Sequence, residues 1–170
     1  MHRELVEDNK AKTKAFFFKR ENGVFFDNSL KKLMIQIYNK SKKDLRVCLH
    51  QSPMDIHHDM IILQQKKNYY LPHKHARKGE TYHMIKGSMK CILFNNQGKI
   101  KKIVTLNKNE IFRVPKNTFH TMLSISNFTI YHENKPGPFN KKGDSIFPSW
   151  INKYKNKRKL ELEINKFSRL

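Results

Sequence analysis

The sequence predicts an all-β domain, a barrel or sandwich of short strands, with a helix near each end. Three observations predict it. From about residue 44 to 133, apolar or alternating runs are separated by turn-forming residues, among them Ser52-Pro53, Gly87, Asn95-Asn96-Gln97-Gly98, Asn107-Lys108-Asn109 and Pro115-Lys116-Asn117. Helical spacing occurs only outside that region, in Leu30, Leu33, Met34, Ile37 and Tyr38 and again in Leu160, Ile164 and Phe167. The length, 170 residues, is that of one domain with room for a core.

Taken in order, residues 1–14 are polar and read as loosely packed. Phe16-Phe17-Phe18 and Val24-Phe25-Phe26, with Glu21-Asn22-Gly23 between them, predict two short strands joined by a tight turn. Asp27, Asn28 and Ser29 are helix-capping residues, so a helix is expected from 29 to about 40, its apolar side against the barrel. From residue 44 the period becomes two: Leu45, Val47 and Leu49 share one face, Arg46, Cys48 and His50 the other. His57-His58-Asp59 precedes the apolar strand 60–63; adjacent histidines on a strand point to opposite faces, so these read as polar residues at a turn edge rather than as a ligand pair. A polar turn is expected at 64–68 and a strand at 69–75. Further strands are expected at 81–85, 88–94, 99–106, 110–114, 118–125 and 127–133. Residues 134–139 contain Pro136, Gly137 and Pro138 and must be irregular. The basic tail 151–170 is expected to be a solvated helix over one barrel edge. The organisation read from this is an N-terminal extension at 1–43, a barrel at 44–135, and an irregular segment with a helical tail packed on the barrel at 136–170.

The net charge of +21 raises nucleic acid or another acidic surface as a partner. Lysine is spread along the whole chain and accompanied by asparagine and isoleucine, a pattern that a codon bias toward A and T also produces. No basic-aromatic motif accompanies it, so nucleic-acid binding ranks last. No apolar run approaches a membrane span and the N-terminus lacks a signal-peptide pattern, so a cytoplasmic protein without membrane attachment is expected. Cys48 and Cys91 lie in apolar runs and read as small buried hydrophobes.

The chemistry concentrates in residues 72–87, where His73-x-His75 is followed by Glu80 and Gly87. On an extended chain His73 and His75 point the same way, and the polar connection 76–79 can turn Glu80 toward the same point from a neighbouring strand. Imidazole and carboxylate ligands without thiolate suit one divalent first-row ion: iron, manganese, nickel or zinc. His120, five residues after Pro115 and at the start of a strand, supplies a fourth ligand.

These two segments resemble the paired motifs of the cupin superfamily. That resemblance implies a double-stranded β-helix, or jelly roll, with a metal held inside by three histidines and one glutamate: His73, His75, Glu80 and His120. The second motif departs from the pattern, with Asn117 where a turn glycine is usual and Ser124 where asparagine is common. Asn tolerates the left-handed conformation that Gly supplies. Residues 45–150 are more closely similar to the small cupin-fold metalloproteins of the WbuC type, associated with bacterial surface-polysaccharide gene clusters. Arg46-Val47-Cys48-Leu49-His50, Pro72 to His75 with Lys78 and Glu80, the Leu93-Phe94 strand before Asn95, Pro115 to Thr121, and His132-Glu133 followed by Gly137-Pro138-Phe139 carry that similarity.

The expected function is a metal-dependent enzyme on a small anionic metabolite, a sugar nucleotide or other surface-glycan precursor. Isomerase or epimerase chemistry and dioxygenase chemistry are both open. If Arg46 and His50 face inward and Lys78 and Arg113 lie at the rim, they supply cations for a phosphate or carboxylate, and Arg46, His50 and Lys78 are the candidate catalytic residues. An ion pair of Arg46 with Glu133 is the plain structural alternative. In this arrangement Leu45, Val47 and Leu49 pack under the N-terminal helix or a partner subunit, which leaves a homodimer open. The competing class is a non-enzymatic metal- or ligand-binding module.

Overall fold

The computed structural model describes residues 5–9, 11, 13–18, 23–140 and 143–167. Its strands are β1 (Leu5–Glu7), β2 (Lys14–Phe18), β3 (Leu45–Cys48), β4 (His57–Gln65), β5 (Glu80–Lys86), β6 (Met89–Phe94), β7 (Ile100–Leu106), β8 (Ile111–Val114), β9 (Phe119–Ser124) and β10 (Phe128–Pro136). Helix α1 spans Asn28–Ser41 and α2 spans Lys157–Phe167, with a 3-10 segment at Ser149–Tyr154. A seven-stranded sheet, in the order β1-β2-β3-β4-β10-β5-β8, packs on a three-stranded sheet, β7-β6-β9. The result is a two-sheet jelly roll. All pairings are antiparallel except β2 with β3, which is parallel.

Period two decides what each sheet face buries. Cys48, Met60, Ile62, Tyr82, Met84, Met89, Cys91, Leu93, Met122 and Tyr131 point inward and form the core between the sheets. The alternate residues of the large sheet, Leu45, Val47, Ile61, Leu63 and Ile130, meet Leu30 and Met34 of α1 on its outer side. The Asp27 carboxylate caps that helix by accepting from the Leu30 N–H at 2.8 Å. On the outer side of the small sheet, Ile92, Phe94, Phe119 and Leu123 are covered by Tyr154, Leu160 and Ile164. The tail therefore covers a whole sheet face rather than an edge. Both cysteines are buried and free.

Four further expectations change. Val24-Phe25-Phe26 is not a strand; β2 pairs instead with β1, inside the stretch read as loose. Three residues of mixed polarity, Leu5-Val6-Glu7, carry too little alternation to be read. Of the expected turn between them, Glu21 and Asn22 lie outside the described residues. The turn expected at 64–68 begins later, because β4 runs to Gln65. Gln64 and Gln65 are buried with their amides satisfied, Gln64 donating to the Met122 carbonyl and Gln65 to the Lys42 carbonyl. Residues 69–75 form no regular strand: Pro72 lacks an N–H, and the segment crosses between sheets with isolated bridges from His73 to His120 and from Lys74 to Ile146. Finally, β10 continues past Glu133 to Pro136.

Candidate metal centre

His73, His75, Glu80 and His120 come together inside the jelly roll, each offering one ligand atom, all within 4.8 Å of one another. Glu80 opens β5 in the large sheet, His120 lies on β9 in the small one, and the two remaining histidines ride on the crossing segment. Backbone bonds between His73 and His120, at 3.1 and 2.9 Å, fix that segment against β9. Asn117 takes the left-handed conformation (φ 58°), which asparagine tolerates, in the turn before β9, and its N–H donates to the His75 carbonyl at 2.7 Å.

Each imidazole has its Nδ1 pinned to a backbone carbonyl: His73 to Leu71 at 2.9 Å, His120 to Thr118 at 2.9 Å, and His75 to Asp144. A carbonyl only accepts, so Nδ1 carries the hydrogen and Nε2 is the nitrogen left for the centre. There, His75 Nε2 stands 2.8 Å from Glu80 Oε1 and His120 Nε2 stands 2.8 Å from Glu80 Oε2. In the neutral Nδ1–H tautomer each contact sets two lone pairs face to face, which either a proton on Nε2, donated to the carboxylate, or an ion shared between the ligands relieves. His75 Nε2, buried and off the hydrogen-bond direction to Glu80, has no hydrogen-bond partner. Ligand atoms about 2.1 Å from one ion sit roughly 3 Å apart, so these spacings fit a shared ion.

The surrounding charges keep Glu80 ionised. Burial alone would raise its carboxyl, but the Lys135 ammonium and the close contacts with the His120 and His75 imidazoles hold it well below the usual carboxylate range. Tyr82 O–H donates to Glu80 Oε2 at 2.7 Å, and Lys135 Nζ donates to Oε1 at 3.0 Å. His73 is pushed down to about 4, first by burial and then by the neighbouring His120, so its imidazole is neutral near pH 7. His75 moves the other way: burial lowers it, and the Glu80 carboxylate more than reverses this.

The other candidates are placed less uniformly. Arg46 pairs in register with Ile62 and Cys48 with Met60, so both face the interior, while Leu45 and Val47 lie under α1, as the assignment of faces expected. Arg46 Nε is buried without a hydrogen-bond partner among the described residues, and Glu133 is paired with Lys135 at 3.2 Å. His50 stacks on His58 with ring centroids 4.4 Å apart and bonds through Nδ1 to the Asp59 backbone, away from the cluster. Lys78 donates to Asp144 Oδ1 at 2.5 Å and to the Pro138 carbonyl at 2.7 Å, so it braces the residue that orients His75. Arg113 is exposed and bonds to Thr81 on the outer side of the sheet. Sequence reasoning missed Lys135 and Asp144. Lys135 shares the inward face of Glu133 and Tyr131, a signal cut off by ending that strand at 133; Asp144 lies in an irregular segment that carries no periodic signal.

Comparison with known proteins supports the architecture. A family model described as "Domain of unknown function (DUF6016)" matches residues 26–106, a span that includes His73, His75 and Glu80 and ends before His120. No curated protein matches the chain. Among solved structures it is similar to a cupin 2 conserved barrel domain protein from Rhodopseudomonas palustris, at 12% identity over 70% of this chain and 78% of that one, with a TM-score of 0.51. It is also similar to the L-ribose isomerase of Cellulomonas parahominis in its structure with L-psicose, at 12% identity over 65% and 71% of the two chains, TM-score 0.51. The protein thus has the cupin fold, and its interior His/Glu cluster can hold a metal ion.

Proposed function

We propose that this protein is a metal-dependent cupin enzyme that acts on a small anionic metabolite of the sugar-nucleotide or surface-glycan-precursor class. The observation that carries the reading is the convergence of three Nδ1-pinned imidazoles and the Glu80 carboxylate on one buried point. His73, His75, Glu80 and His120 would hold one divalent ion, whether iron, manganese, nickel or zinc. Bound there, the ion would supply a Lewis acid that orients and polarises a substrate oxygen for isomerisation or epimerisation, or, were it redox-active as iron is, the electron exchange that dioxygenase chemistry needs. Tyr82 fixes Glu80 from the interior side, and Asp144, held by Lys78, fixes the orientation of His75. The buried, unpartnered Nε of inward-facing Arg46 supports a role for this side chain in meeting an anion. The WbuC-type resemblance supports the glycan class of substrate.

The burial of His75, Glu80 and His120 favours a second reading, in which the ion stabilises the barrel without turnover. The test begins with the metal content of protein purified without added metal. His75→Ala should lower it far more than His57→Ala or His58→Ala; equal losses across the three would sink the ligand assignment. A screen of sugar nucleotides with the identified metal then separates enzyme from module.

A further inference from the structure

Lys135 places an ammonium on the carboxylate that the metal reading gives to the ion. Its Nζ lies 3.0 Å from Glu80 Oε1, 3.2 Å from Glu133 Oε1 and 3.9 Å from Asp144 Oδ2. The side chain, 14% exposed, cannot swing out of the way into water. On β10 it lies opposite His58 of β4, on the inward face shared with Glu133 and Tyr131, and reaching the outer face would require slipping the strand register by one residue. Glu133 and Asp144 give it partners that remain when Glu80 turns toward an ion.

We propose that Lys135 sets the metal affinity of this centre. Its positive charge shares Glu80 with the divalent ion and repels it at close range, in an interior where such repulsion is weakly screened. Affinity is thereby held below what three imidazoles and a carboxylate would give by themselves, and the ion exchanges with solution rather than being trapped. A lysine that served only as a counter-ion for the metal-free fold would leave affinity unchanged when replaced.

The inference rests on the metal-centre reading, and the test separates the two. Zinc affinity of chelator-stripped protein is measured by competition with a chromophoric chelator for the wild type, Lys135→Met and Lys135→Arg. Met keeps the length of the side chain without its charge, and zinc binding should tighten on the order of tenfold or more, while Arg, which keeps the charge, stays close to wild type. If wild type binds zinc and Lys135→Met binds it equally or more weakly, the proposal is overturned and the metal centre stands. Tightening by Arg equal to that by Met would also overturn it, because charge would not be the cause. A wild type that binds no zinc, manganese or iron at all would overturn both readings. Should Lys135→Met fold only with zinc, its chelator-driven release must be slower than that of the wild type; release as fast or faster refutes the proposal.

Discussion

Leu160 tests whether the C-terminal helix is part of the domain's stability or an appendage on it. The side chain is fully buried, enclosed by Ile164 and Tyr154 of the tail and by Ile92, Phe94, Phe119 and Leu123 of the small sheet. Leu160→Ala removes its transfer free energy and leaves a cavity walled partly by rings that collapse poorly, a loss of about 2–5 kcal/mol. For a protein of this size each kcal/mol moves the melting temperature by roughly 2–4 °C, so a drop of about 4–20 °C is expected by circular dichroism in the presence of a chelator. The exposed Leu162 on the same helix provides the control: Leu162→Ala should cost no more than about 0.5 kcal/mol. Zinc affinity should be unchanged in both variants, because the tail packs on the outer side of β6 and β9 whereas the His/Glu cluster faces the interior. Equal melting temperatures for Leu160→Ala and Leu162→Ala would refute the packing argument, and a loss of zinc binding with stability intact would show that the tail shapes the centre.

Two further outcomes follow from the interior arrangement. Arg46→Ala should retain zinc while losing binding of a sugar nucleotide measured by calorimetry, whereas Val47→Ala, which removes two methyl groups from a fully buried site under α1, should chiefly lower stability by roughly 1–3 kcal/mol; an unfolded Arg46→Ala beside a silent Val47→Ala would invert the assignment of faces. Burial pushes the Cys48 thiol up to about 11 and raises Cys91 further, so at pH 8 both stay protonated and iodoacetamide should label neither until the protein is unfolded. Rapid labelling of the native protein would show that the core between the sheets is open.

Legibility in the sequence tracked locality. His73, His75 and Glu80 were readable because their spacing lies within one short motif, and His120 because Pro115 and Asn117 mark the turn that delivers it. Helix α1 was readable from its cap and its apolar spacing. What escaped depends on chain brought from afar: Asp144 reaches His75 across 69 residues, and nothing about a carboxylate in an irregular segment announces that its carbonyl will orient an imidazole. Lys135 was hidden by Pro136, read as the end of order although proline is tolerated at the last residue of β10, past the point where its ladder with β5 ends at Asn134 and Thr81. The crossing segment 69–75 looked like a strand because Tyr69, Tyr70 and Leu71 are strand-forming types; the ladder they lack is a tertiary fact.

Glu80 and His120 stand 40 residues apart and on different sheets, yet their side chains meet at 2.8 Å. The two halves of the sandwich are therefore tied at this point whatever the occupant, and the separation of one sheet from the other must break the tie before solvent can enter. An ion held by both would turn that tie into a cross-link closing a long loop, so that its residence time would report on how often the sandwich breathes rather than on ligand exchange alone. Metal release and the slowest-exchanging amides of β6 and β9 would then share one clock.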